Sequence, residues 1–166
     1  MALTIRNPSA NERAIATAIN QVRHLASESS VHADAAELSV TVADCTSGDL
    51  DSMIALAKNL HDVYSTHIAD TLAHAAADST NAIGVTKASI VSQSTAITFA
   101  NALKAAYNAH RSQSGVHHAD DSGNATTATN ASNASTLATL LNELKTDLNA
   151  HMATALSGHS LRVVAF

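Results

Sequence analysis

Cysteine is almost missing from this chain. Cys45 stands alone, which excludes an intrachain disulfide framework and any zinc module built on cysteine pairs. Aromatics are nearly as scarce: Tyr64, Phe99, Tyr107 and Phe166 are the only four in 166 residues, too few to line an aromatic cofactor pocket. Basic charge is short as well. Nine Lys+Arg against 14 Asp+Glu leave a net charge of -5, which argues against a nucleic-acid partner and against a polybasic membrane anchor. No apolar run approaches the roughly 20 residues of a membrane span, and the N-terminal MALTIRNPSANER lacks the apolar stretch of a signal peptide. The expectation is a soluble protein of a reducing compartment, with no nucleic acid and no membrane among its partners. What is abundant is alanine, 35 residues. Setting it aside leaves about a quarter of the chain apolar, so an alanine-dominated interior, loosely stable in isolation, is expected.

The chain repeats itself. ALAKNLHDVYSTH (55–67), FANALKAAYNAH (99–110) and LLNELKTDLNAH (140–151) align with one another. At an offset of 43, Leu60 falls on Leu103, Tyr64 on Tyr107, His67 on His110, His74 on His117, Asp78 on Asp121 and Asn81 on Asn124. At an offset of 41, Ser94 falls on Ser135, Asn101 on Asn142, Leu103 on Leu144, Lys104 on Lys145, and Asn108-Ala109-His110 on Asn149-Ala150-His151. A fainter first copy carries His24 and His32. Copies are therefore placed near 14–49, 50–92, 93–133 and 134–160.

Each copy opens with a helical stripe. Met53, Leu56, Leu60, Val63/Tyr64, His67/Ile68 and Thr71/Leu72 recur at spacings of three and four, as do Ile97, Ala100, Leu103, Ala106/Tyr107 and His110, and Leu137, Leu140/Leu141, Leu144, Leu148 and His151/Met152. Ile15, Ala18/Ile19, Val22 and Leu25 form an earlier stripe behind a Ser9–Glu12 capping box. The fold expected is all-α: helices near 9–28, 48–75, 87–112 and 134–156, as a four-helix bundle or an elongated helical repeat. Asp49 and Asp51 suit a helix start, and Gly115 and Gly158 sit where helices should stop. Residues 1–8 and 161–166 read as short β-prone arms flanking a helical repeat domain over 9–160, and Val40-Thr41-Val42 as a further possible strand. The polar connector 113–133 is long for a compact domain, a feature that goes with function or a partner.

Ten histidines are an excess, and two clusters share a spacing: His67-x6-His74-x3-Asp78 and His110-x6-His117-x3-Asp121. Histidine with carboxylate is an acceptable ligand set for zinc or a transition metal, and on a continuous helix such spacings share a face. The plainer reading, which the sequence favours, has the first histidine of each copy ending the apolar stripe with its ring packed. The second histidine, with Asp and Asn, then belongs to turn chemistry. No metal and no cofactor are assigned on this basis. His67, His74, Asp78, His110, His117 and Asp121 are the residues that would hold a metal if one is bound.

Catalytic signatures are missing. The chain has no GxSxG elbow, Walker sequence, GxGxxG or HExxH. Cys45 lies near Asp44 and Asp49, which raise a thiol's pKa rather than activate it. No catalytic residue is assigned, and an enzyme is not expected.

The phrase LKAAYNAHRSQSGVHHADDSGNA resembles a tandem repeat of virion structural proteins of tailed bacteriophages. There a helix ending in Leu-Lys-x-x-Tyr/Phe-Asn-x-His precedes a His/Asp/Asn loop. Leu103, Lys104, Tyr107, Asn108, His110, His117, Asp121 and Asn124 match it. Leu144, Lys145, Asn149 and His151 match in part, with Leu148 in the aromatic slot and no Asp/Asn after His159, and Leu60, Tyr64, His67, His74, Asp78 and Asn81 match without the Lys and first Asn. The likeness spans about 50–160. It implies a non-enzymatic structural protein of a phage particle, a shell decoration or cement protein or a neck or tail component. Such a protein is assembled in the host cytoplasm and partnered by its own copies and other virion proteins. The alternatives are a metal- or small-ligand-binding helical protein using the His/His/Asp clusters, and a self-assembling filament subunit.

Overall fold

The computed structural model describes residues 38–71, 74, 77–113, 116 and 121–158, with backbone alone for 154–158; all lie in the unit Ala35–Phe166. Three helices carry it: α1 (Leu50–Ala69), α2 (Gln93–Arg111) and α3 (Ala134–Gly158), with one-turn 3-10 helices at Lys87–Ser89 and Ser122–Asn124 in the connections. The described residues contain no strand and are all-α. The helix expected near 9–28, the arms 1–8 and 161–166, and His117 lie outside the described residues.

Local chemistry sets the helix starts. Asp49 caps α1, its Oδ1 accepting the N–H groups of Asp51 and Ser52 at 3.1 and 3.2 Å. Ser92 and Thr95 form a capping box on α2, and Asn133 and Thr136 repeat it on α3: Asn133 Oδ1 accepts Thr136 N–H at 3.0 Å, and Thr136 Oγ1 accepts Asn133 N–H at 3.1 Å. α1 is shorter than its periodicity predicts. It ends at Ala69, where Asp70 N–H turns back to the His67 carbonyl and Asp78 N–H satisfies the Ile68 carbonyl. His67 and His74 therefore do not share a helical face. α2 likewise starts at Gln93 rather than 87, because Lys87–Ser89 is a separate 3-10 turn.

Each helix packs against both of the others. Met53, Leu56, Leu60 and Tyr64 of α1 face Phe99, Leu103 and Tyr107 of α2 and Leu137, Leu140, Leu141, Leu144 and Leu148 of α3 in one buried cluster. The alanine-dominated interior expected from composition is not what forms: Tyr64, Tyr107 and Phe99 are fully buried together with the leucines. Much of the alanine is spent elsewhere, for example at half-buried Ala102 and Ala106 and at exposed Ala109. Phe99, which the stripe through Ile97 passes over, is a fully buried ring of α2 like Tyr107, while Ile97 is half-buried.

Val40-Thr41-Val42 is not a strand, for a reason visible at its ends. Asn149 offers its side-chain amide as a strand partner would: Val40 N–H donates to Oδ1 at 2.8 Å and Nδ2 donates to the Val40 carbonyl at 3.2 Å. Asn142 does the same for Cys45, at 2.9 and 3.0 Å. On α2 the pair Asn101 and Asn108 holds Ala131 and Thr126 in the same two-way fashion. Two asparagines seven apart on a helix thus strap down an extended segment running antiparallel to it. This satisfies connector backbone that is pinned under the helix.

Candidate functional site: a buried histidine cluster

Where the three helices converge, the core changes from apolar to polar. His67 ends the stripe of α1, His110 that of α2 and His151 that of α3, the same repeat position in each copy. His74 joins them from the connection after α1. These four side chains are 3%, 0%, 2% and 5% exposed for His67, His110, His151 and His74. One ring nitrogen from each lies within 4.8 Å of the others. The rings meet edge to face: His67 is 4.5 Å centroid to centroid from His74, 5.1 Å from His110 and 5.1 Å from His151, all steeply inclined. Their edges therefore converge, rather than their faces stacking.

The outer nitrogens are held by acceptors. His110 Nδ1 lies 2.8 Å from Asp78 Oδ2, His151 Nδ1 2.8 Å from Asp121 Oδ2, and His74 Nδ1 2.9 Å from the Asp70 carbonyl oxygen. Carboxylate and carbonyl oxygens only accept, so each of these Nδ1 atoms carries a proton and donates it. In a neutral ring that leaves Nε2 with its lone pair. Burial, opposed in part by the bond to Asp78, pushes His110 down to about 4. Burial lowers His74 and His151 as well, so the rings are neutral at neutral pH. His110 Nε2 and His67 Nε2 are 3.2 Å apart.

The carboxylates are themselves braced. Asp78 Oδ1 accepts Thr80 and Asn81 N–H at 3.1 and 3.2 Å, and Asn81 Nδ2 donates to Oδ2 at 2.6 Å. Burial opposes the Asp78 charge, but the hydrogen bonds from Asn81 and His110 outweigh it and hold the pKa below the usual value. Asp121 is held in the same direction by Asn124 and His151 against its own burial. Above each turn a tyrosine closes the loop: Tyr64 OH donates to the Asn81 carbonyl at 2.9 Å, and Tyr107 OH to the Asn124 carbonyl at 2.7 Å.

The sequence placed His67, His74, Asp78, His110, His117 and Asp121 in two clusters, each within its own copy. The structure brings His67, His74 and His110 into one cluster and adds His151. It moves Asp78 and Asp121 to an outer ring, each serving the histidine of the next helix rather than its own copy; His117 lies outside the described residues. His151 was missed even though the repeat register aligned it with His110, because no Asp follows it. None needs to, since its carboxylate comes from the copy before. The Asp and Asn turn chemistry expected of the loops is present. Cys45 is buried and its thiol is pushed up, by burial first and then by Asp44 and Asp49. Among the described residues no helix is long and apolar enough to cross a membrane. No protein-family model, curated protein or solved structure matches the chain.

Proposed function

We propose that this is a non-enzymatic structural protein whose helical repeats form a rigid assembly module, and that, as its repeat resemblance implies, it is a component of a phage particle. The observation that carries the structural reading is the burial of its most elaborate polar site. Every histidine of the cluster is 5% exposed or less, so a substrate has no face of these rings to meet. Each helix supplies its histidine from the same repeat position, and each connecting loop supplies the carboxylate for the helix that follows. Such a site ties three repeats together across the core. A four-helix or longer repeat, with terminal arms reaching neighbouring subunits, extends the same design beyond the residues described.

Quantitative mass spectrometry of purified virions tests this. A copy number in the hundreds per particle means a shell or tube component, and a dozen or fewer a neck or tip component. Absence from the particle refutes the virion assignment. A helical protein that binds a metal through the same histidines is the second reading, favoured by the convergence of the four rings.

A further inference from the structure

We propose that His67, His74, His110 and His151 together ligate one divalent transition-metal ion of the zinc class, and that Asp78, Asp121 and the Asp70 carbonyl are its outer support. This rests on reading the cluster as an internal clasp and names the ligand that closes it.

The tautomers carry the argument. Asp78, Asp121 and the Asp70 carbonyl fix the proton of three rings on Nδ1, which turns three Nε2 lone pairs toward a common centre where His67 also directs Nε2. With the His110 proton on Nδ1, His110 Nε2 accepts the hydrogen bond that His67 Nε2–H donates at 3.2 Å, and a cation at the centre would take the place of that proton between the two rings. Imidazole nitrogen donating through Nε2, with Nδ1–H held by a carboxylate or carbonyl, is the arrangement metal-binding histidines adopt. Four nitrogen donors with no oxygen ligand suit zinc and its neighbours and not calcium or magnesium.

Distances agree. Tetrahedral zinc with bonds of about 2.0–2.1 Å sets its nitrogens roughly 3.3–3.4 Å apart. His67 and His110 are already at 3.2 Å, and no pair in the set exceeds 4.8 Å. Closing the set takes less than about an ångström per ring. Charge agrees too: two carboxylates, Asp78 and Asp121, stand 2.8 Å behind two of the ligand rings, where they would offset the charge of a dication in the core.

The test uses full-length protein prepared without a histidine tag. Elemental mass spectrometry of the purified protein should find one transition-metal ion per chain. After chelation, Co²⁺ titration should restore the intense visible absorption of four-coordinate cobalt, saturating at one equivalent. A chain with ten histidines binds cobalt loosely elsewhere, so variants decide. His74 lies outside the helices, and His74→Gln should keep the far-UV circular dichroism and lose the band. Asp121→Asn, which leaves all four ligands in place, should weaken affinity about 10–100-fold. If the wild type shows no four-coordinate band, or if both variants bind as the wild type does, the metal assignment is overturned. Virion copy counting is untouched by either result: a metal-free chain found in the particle sinks this inference and leaves the structural role standing.

Discussion

Asp78 and Asp121 show how much one side chain can organise. Each closes its own turn through Asn81 or Asn124 and at the same time orients a histidine on the next helix. Tyr107 works at the same scale. It is fully buried, and its hydroxyl reaches both the Asn124 and Asp147 carbonyls, at 2.7 and 2.9 Å. Tyr107→Phe keeps the ring and strips those carbonyls of a donor, so it should cost about 1–3 kcal/mol in urea unfolding. Leu103→Ala, at a 1% exposed position, should cost about 2–5 kcal/mol, against about 0.5 or less for Thr129→Ala on the exposed connector. Equal midpoints for the leucine and threonine variants would mean the stripe is not a core.

The stripe and the register were legible because apolar spacing and repeat identity are local properties of the sequence. The Asp–His pairing was not, because it crosses from one copy to the next over about thirty residues, and its sense depends on where α1 stops. A continuous helix through His74 would have kept the cluster within one copy. The break at Asp70 is what sends His74 back to the centre. His151 is legible by its alignment with His110, but no Asp follows it, so the His/His/Asp spacing does not point to it. The leucine and aromatic core was underestimated because composition counts every alanine as interior.

At the scale of elements, the asparagine straps are the feature with the clearest consequence. Asn142 and Asn149 hold Cys45 and Val40 on α3, as Asn101 and Asn108 hold Ala131 and Thr126 on α2. Asn149→Ala removes a donor and an acceptor from the Val40 backbone. Hydrogen exchange at the Val40 amide should accelerate at least tenfold, while amides in the middle of α1 keep their rates. An unchanged Val40 rate would mean the strap is held by side-chain packing alone. The connector 126–131 has a second anchor in Glu143, which accepts the Thr127 and Ala128 N–H groups at 2.6 and 3.0 Å. Burial opposes its charge, but these donors hold its pKa below the ordinary carboxylate value. A depressed folded pKa contributes stability that is complete above the unfolded value of about 4.3 and is lost as pH falls through the folded one. Wild type should therefore be more stable than Glu143→Gln at pH 7, and the gap between their urea midpoints should narrow progressively as pH falls below about 4. A gap independent of pH would assign the difference to shape rather than charge.

At the largest scale, the three helices of the described residues, whose stability comes chiefly from tertiary packing, are joined by a leucine and aromatic cluster and finished by a polar knot of four histidines and two aspartates. The repeat explains the economy of this arrangement. Each of these three copies supplies a stripe and a histidine, the first two also supply the aspartate for the copy that follows, and stacking them assembles both the core and the clasp. Metal binding would then be part of folding, since the ligands come together only when all three helices have docked. The most direct measurement is an anomalous difference map from crystals of the purified protein, recorded either side of the zinc absorption edge. One peak should stand at the convergence of the three helices, about 2.0–2.1 Å from Nε2 of His67, His74, His110 and His151. A map with no peak there, or four rings turned away from a common centre, would contradict it.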